Sequence, residues 1–307
     1  MKPVTIALLA LLLLLPTVKA DEGWEWTTDQ VDSLAQRAEA TVKHGKESLW
    51  NYRRGLYIAD SLHDPEKTGL IGIEYSELTT TMGYEQSKEL SAKVGWASWL
   101  VRQLAGRGIG PKSKVAVGMT GSFPGINFAL FAALQELGAD VRCISSIGAS
   151  SWGANEIGFS WPELERFLIE EGVLRTGSGA VTLGGTGDRG AEWDDYSMGL
   201  AMSAVNSSRL PLIKPLHLTD AVTKRLRFYG YLKDYDCYIN VGGGHASLGG
   251  GAKLRFDKGG WFTEPMAIRG DPDGMMDWFL KSRVPCLNLL FLKELNLEHK
   301  IVRPTGK

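Results

Sequence analysis

Apolar positions along this chain change their period as they go. From Thr28 to about Leu62 they recur at helical spacing, with Val31, Leu34, Ala38 and Val42 on one face, the repeat of an amphipathic helix. Thr27 with Gln30 forms a capping-box pattern at its start, while Gly45 and Gly55 weaken it enough to leave open one helix or two. "HDPEKTG" ends that pattern. "LIGIEY", Leu70 to Tyr75, predicts a short strand, and 84–105 predicts another helix with Val94, Trp96, Leu100 and Leu104 on its core face. From Lys114 onward short apolar runs alternate with helical segments. Strands are predicted at 115–119, 140–146, 179–183, 236–241 and 286–290, with 70–75 as a sixth. Ser160, Pro162 and Glu163 mark the start of the helix "PELERFLIEEG". A basic-flanked helix is expected over 219–233, and Asp271-Pro272 opens one carrying Met275, Met276, Trp278 and Phe279.

This alternation predicts an α/β fold: a mainly parallel, doubly wound open sheet of about six strands with a helical N-terminal extension. No internal repeat, low-complexity run or linker interrupts it. The expected organisation is a signal peptide over 1–20, an N-terminal helical region with one short strand over 21–110, packed on the main domain, and the α/β domain over 111–307.

The signal follows from Lys2, an apolar run from Ile6 to Leu15, then Pro16 and "VKA" before Asp21, the order of a secretory leader. The run is about half the length that a membrane-spanning helix needs, so export to a periplasmic or extracellular space is expected, with an uncleaved, membrane-anchored form as the alternative. The formal net charge is −1. No global basic field would hold nucleic acid, and any anion must be bound locally. Cys143, Cys237 and Cys286 are far apart and lie in or beside apolar strand-like runs, which reads as buried thiols, with one disulfide as the alternative. Their spacing suits no metal site, and no cofactor motif is present.

The chemistry is expected at the strand ends. Four strands run into glycine-rich polar turns: "GMTGSFPG" at 118–125, "SSIGASSWGAN" at 145–155, "LGGTGDRG" at 183–190 and "NVGGGHASLGGG" at 240–251. In an open parallel sheet such turns face one crevice. The candidate binding set is Thr120, Gly121, Ser122, Ser150, Ser151, Gly185, Thr186, Arg189, Gly243, Gly244 and His245, with the Ser247 hydroxyl as a further donor. Ser122 falls where an N-cap would, with Pro124 in the first helical turn, so this helix start would favour an anion. The turn has neither the Walker A nor the dinucleotide-fold spacing.

Candidate catalytic groups are Ser122, Ser151, His245 and Asp188. "ASSWG" lies one residue from a nucleophile elbow centred on Ser151, but the next helix signal waits until Ser160. His245 can serve either serine as base with Asp188 as orienter, or act as a hydrogen-bond donor. Arg189 can clamp a carboxylate or pair with Asp188 or Glu192. The threonines of "EYSELTTTMG" add hydroxyls if the strand before them joins the sheet. Trp24, Trp26, Trp152, Trp161 and Trp193, near segment ends, suit either a polymer surface or packing.

"IGIEYSELTTTMG", "KVAVGMTGSFPGINFALFAALQELGADV", "ISSIGASSWGAN" with "FSWPELE", "LGGTGDRG" and "INVGGGHASLG" together resemble the poly-γ-glutamate system protein family. This accessory family accompanies the poly-γ-glutamate synthetase and its membrane partners. The resemblance spans about residues 70–250, and the segment after Glu85 departs from it. It implies exported work in capsule or exopolymer biosynthesis, with poly-γ-glutamate or glutamyl oligomers as ligand and the membrane-bound synthetase components as partners. It carries no catalytic residues. The alternatives are a γ-glutamyl hydrolase or transferase that trims or releases the polymer, and a scaffold docking the synthetase through Thr28 to Leu62 and Tyr84 to Ala105.

Overall fold

In the chain's structure, a computed structural model, residues 23–56, 58–250, 256–265 and 272–302 are described. The signal peptide expected over 1–20, and Asp271, lie outside them. Helix α1, Thr28–Gly55, is continuous. Thr27 Oγ1 accepts the Gln30 N–H at 3.3 Å and the Gln30 side chain accepts the Thr27 N–H at 2.9 Å, closing the predicted capping box. Gly45 does not divide the helix, because its missing side chain is where another element packs: a Cβ there would stand 2.7 Å from Phe128 Cε1 and 3.0 Å from Val173 Cγ1.

The helix ends at Gly55, earlier than expected. Beyond it the Asp64 carboxylate accepts the N–H groups of Thr68 (2.9 Å) and Gly69 (2.7 Å), folding the polar stretch into a turn. The 70–75 run is buried over its first three residues and exposed at Glu74 and Tyr75, and it joins no ladder of the main sheet. Its hydrogen bonds go to a loop, from Gly72 N to Trp152 O (3.1 Å) and from Trp152 N to Ile73 O (2.7 Å). The strand lies just after it: β1, Thr79–Thr81, pairs in parallel with a two-residue β4, Ala149–Ser150. The helix expected over 84–105 is two, α2 (Glu85–Ser91) and α3 (Gly95–Ala105).

The main sheet contains β2 (Lys114–Met119), β3 (Asp140–Ser146), β5 (Ala180–Thr182), β6 (Cys237–Val241), β7 (Gly260–Phe262) and β8 (Cys286–Leu289), in the order β5-β3-β2-β6-β8-β7. All pairs are parallel except the β7 edge. The sixth strand is therefore β7, not 70–75.

Strand periodicity sends successive side chains to opposite faces, and the two cores follow it. Val115, Val117, Ile239, Val241, Leu287 and Leu289 pack with α1, α3 and α4 (Pro124–Leu137). Ala116, Tyr238 and Cys286 pack with α7 (Leu218–Tyr229) and α9 (Met275–Lys281). The basic-flanked helix thus ends at Tyr229, four residues early. Helix α5, Trp161–Glu170, begins at the predicted box, the Glu163 carboxylate accepting from Ser160 N (3.1 Å) and Ser160 Oγ (2.7 Å). A smaller cluster joins Val181 and Leu183 to α6, Asp195–Ser208. Short α8, His245–Leu248, and α10, Leu292–His299, complete the helices among the described residues.

All three cysteines are buried, unpaired thiols whose ionisation burial makes harder. No helix among the described residues is long and apolar enough to cross a membrane.

Candidate functional site

Strand order reverses direction between β2 and β6: the chain proceeds to β3 and β5 on one side of β2 and to β8 on the other side of β6. The crevice at such a switch point lies beyond the strands' carboxyl ends. The four glycine-rich turns meet there in a closed circuit. Thr120 N donates to Val241 O (3.1 Å), joining the first turn to the fourth. Ser150 N donates to Ser122 Oγ (3.0 Å) and Ala154 N to Gly121 O (2.8 Å), joining first to second. Gly148 N donates to Leu183 O (2.9 Å), and Gly187 N to His245 Nδ1 (3.3 Å), joining second to third and third to fourth. Ser151 N on Thr81 O (3.0 Å) adds the β1 segment.

The third turn shows why glycine is used here. Gly184 (φ +78°) and Gly185 (φ +68°) are left-handed, a conformation that costs glycine little. They double the chain back before the 3-10 turn Thr186–Asp188. Asp188 is also left-handed, at φ +64°, and is held there by buried partners. Its carboxylate accepts from Thr182 Oγ1 (2.8 Å) and pairs with Arg225 (2.8 Å). Asp188 is therefore a structural anion and does not orient His245.

With Asp188 engaged inward, Arg189 projects outward. It is exposed and forms no ion pair among the described residues, since Glu192 accepts the Thr186 N–H instead (2.7 Å). A Cβ on Gly187 would lie 3.7 Å from Arg189 Nε, and the Gly187 N–H reaches His245, so Arg189 and His245 flank one glycine. Thr186 and Gly243 are exposed beside them, and Gly244 is half-buried with Thr120 Cγ2 3.2 Å from where its Cβ would be. These groups form an open rim with one fixed positive charge.

No protein-family model, curated protein or solved structure matches the chain.

The serines lie deeper. Ser122 is not a helix cap: α4 starts at Pro124, its N-cap position is Phe123, and no side chain caps it. The Ser122 hydroxyl instead receives the Ser150 N–H. The first turn of α4 is buried under α2, and a Cβ on Gly125 would lie 2.7 Å from Ala92 Cα, so this helix start is closed to an anion.

What reaches the turn is a cation that sequence reasoning missed. Lys88, 2% exposed, donates from Nζ to Ser122 O (2.6 Å) and to Ser150 Oγ (2.7 Å), and sits 4.0 Å from the centre of the Phe123 ring. Burial pulls its ammonium down to about 7 from the ordinary lysine value of 10.5, and no carboxylate offsets this. A sequence signal existed: counting back by fours from Leu104 through Leu100, Trp96 and Ala92 lands on Lys88, a charge on an apolar stripe.

Ser151 is fully buried, with its hydroxyl against Met82 Sδ (3.8 Å), and Ser247 bonds Tyr238 Oη (2.8 Å). His245 bonds neither Ser122 nor Ser151 among the described contacts. Thr79 and Thr80 are spent on Asn155 Nδ2 (2.9 Å) and Ala149 O (3.2 Å). A separate cavity of about 470 Å³ lies beside Ala180 and α7, lined by Leu212, Lys224 and Phe228, away from these turns. Of its basic residues Lys214, Lys224 and Arg227, Lys224 is paired with Asp220 (2.8 Å).

Proposed function

We propose that this protein is an exported accessory component of a poly-γ-glutamate system, and that the rim around Gly187 holds carboxylates of the polymer. The observation carrying this reading is the exposed Arg189 guanidinium, whose sequence neighbour Asp188 is turned inward to Arg225. In a chain of net charge −1, a polyanion needs a local cation of this kind. The guanidinium fork matches a carboxylate bidentately. His245 and Thr186 add hydrogen-bonding groups beside it, and an open rim suits a polymer better than an enclosed pocket would. The ligand class comes from the family resemblance of residues 70–250, as do the membrane-bound synthetase partners.

Calorimetry with poly-γ-glutamate oligomers on the chain from Asp21 onward tests the reading. Binding that weakens with added salt is expected, as is a loss of about tenfold in Arg189→Ala, since hydrogen bonds to charged groups are worth about 1.5–3 kcal/mol. Absence of binding by the unaltered protein would remove it.

A further inference from the structure

The contact between Lys88 and Ser150 is unlike anything else among the described residues. A buried amine nitrogen stands 2.7 Å from a serine hydroxyl oxygen, with the Ser122 carbonyl as its second partner. Lys88 comes from α2 and Ser150 from β4, 62 positions apart, so no local rule of helix or turn formation requires them to meet. Ser150 is held by its own N–H on Ser122 Oγ (3.0 Å) and by the β1 ladder. Two residues on, Trp152 takes a left-handed backbone, φ +63°, strained for a bulky residue.

Above the hydroxyl runs a thin segment in which Thr81, Met82 and Tyr84 are exposed. Its glycine lies over Ser150: a Cβ on Gly83 would stand 3.0 Å from Ser150 Oγ. Any larger residue would press on the oxygen, so glycine keeps the cover over this buried hydroxyl thin. Nucleophile and base are thus within hydrogen-bond reach of each other, which is the arrangement that activates a serine.

We propose that Ser150 is a nucleophile and Lys88 its general base, acting on the carbonyl of a γ-glutamyl amide. Neutral Lys88 takes the Ser150 proton as Oγ bonds to the carbonyl carbon and the C=O pair moves onto oxygen. When that pair returns, the C–N bond breaks, the Lys88 ammonium gives its proton to the leaving amine, and a γ-glutamyl ester remains on Ser150. Water then attacks the ester, losing a proton to Lys88. The ester C–O bond breaks, and that proton returns to Ser150. An amine in place of water gives transfer rather than hydrolysis. The pair replaces the serine–histidine pairing that the sequence suggested. The substrate class rests on the polyglutamate reading above, but the reactive serine does not.

The test is covalent labelling of the intact chain with a fluorophosphonate, followed by mass mapping. One adduct on Ser150 is expected, absent in Ser150→Ala. Its rate should rise about tenfold between about pH 6 and pH 8.5, because only about a tenth of an amine titrating near 7 is neutral at the lower value. No adduct, an adduct confined to another residue, or a pH-independent rate would overturn the proposal. Labelling of Ser150 without calorimetric binding of polyglutamate keeps the nucleophile and removes the polymer. Binding without labelling does the reverse.

Discussion

Replacing Lys88 by methionine removes a buried ammonium while keeping an unbranched side chain of similar length. In the native protein burial lowers this group from 10.5 to about 7, so folded and unfolded chains differ in bound protons between those two values. Within that window the unfolded chain keeps a proton on Lys88 that the folded chain has released. Raising the pH therefore stabilises the fold, with a limiting slope of about 1.4 kcal/mol per pH unit. Below about 7 both states hold the proton, above 10.5 neither does, and the effect is flat.

The whole displacement corresponds to about 5 kcal/mol. Between roughly pH 7.5 and 9.5 linkage gives about 2–3 kcal/mol. Lys88→Met lacks this term. Leaving Ser122 O and Ser150 Oγ without their donor costs it about 1–3 kcal/mol each, and that cost does not change with pH. All other titrations are common to both proteins. Urea unfolding followed by tryptophan fluorescence at the two pH values, taken as wild type minus variant, should move in favour of wild type by about 2–3 kcal/mol at the higher pH. An unchanged difference would mean that Lys88 stays charged in the fold, and would refute the argument for its burial and for its role as base.

Two further substitutions test the frame around the site. Gly45→Ala gains about 1 kcal/mol of helix propensity but drives a methyl into Phe128 and Val173, so a net loss of about 1–2 kcal/mol in chemical unfolding is expected; a gain would show that α1 and α4 separate freely. Asp188→Asn leaves the buried Arg225 guanidinium without its counter-charge and should cost about 3–5 kcal/mol in thermal or chemical unfolding, whereas a change below about 1 kcal/mol would show the pair to be solvated.

Much of the architecture could be read from local pattern. The five strand predictions from 115 to 290 fall on β2, β3, β5, β6 and β8 within a residue or so at each end, because a parallel strand buried on both faces is a continuous apolar run. The capping boxes at Thr27 and Ser160 are as predicted, since a cap spans only three residues. The run 70–75 is just as apolar but finds a loop as partner, and β7, Gly260–Phe262, is too short an edge to stand out. Apolar runs report burial, and burial alone does not choose a hydrogen-bond partner.

By itself, then, the sequence determined the α/β class, the sheet's main strands and the gathering of polar turns at their carboxyl ends, all properties of residues close together in the chain. Tertiary structure decided what those turns do. It turned Asp188 inward to Arg225 and left Arg189 outside. It moved Ser122 off the helix start and brought Lys88 to Ser150. These outcomes depend on contacts between residues 28 to 62 positions apart, and on burial that shifts a lysine's protonation, and neither is written in the local period of the chain.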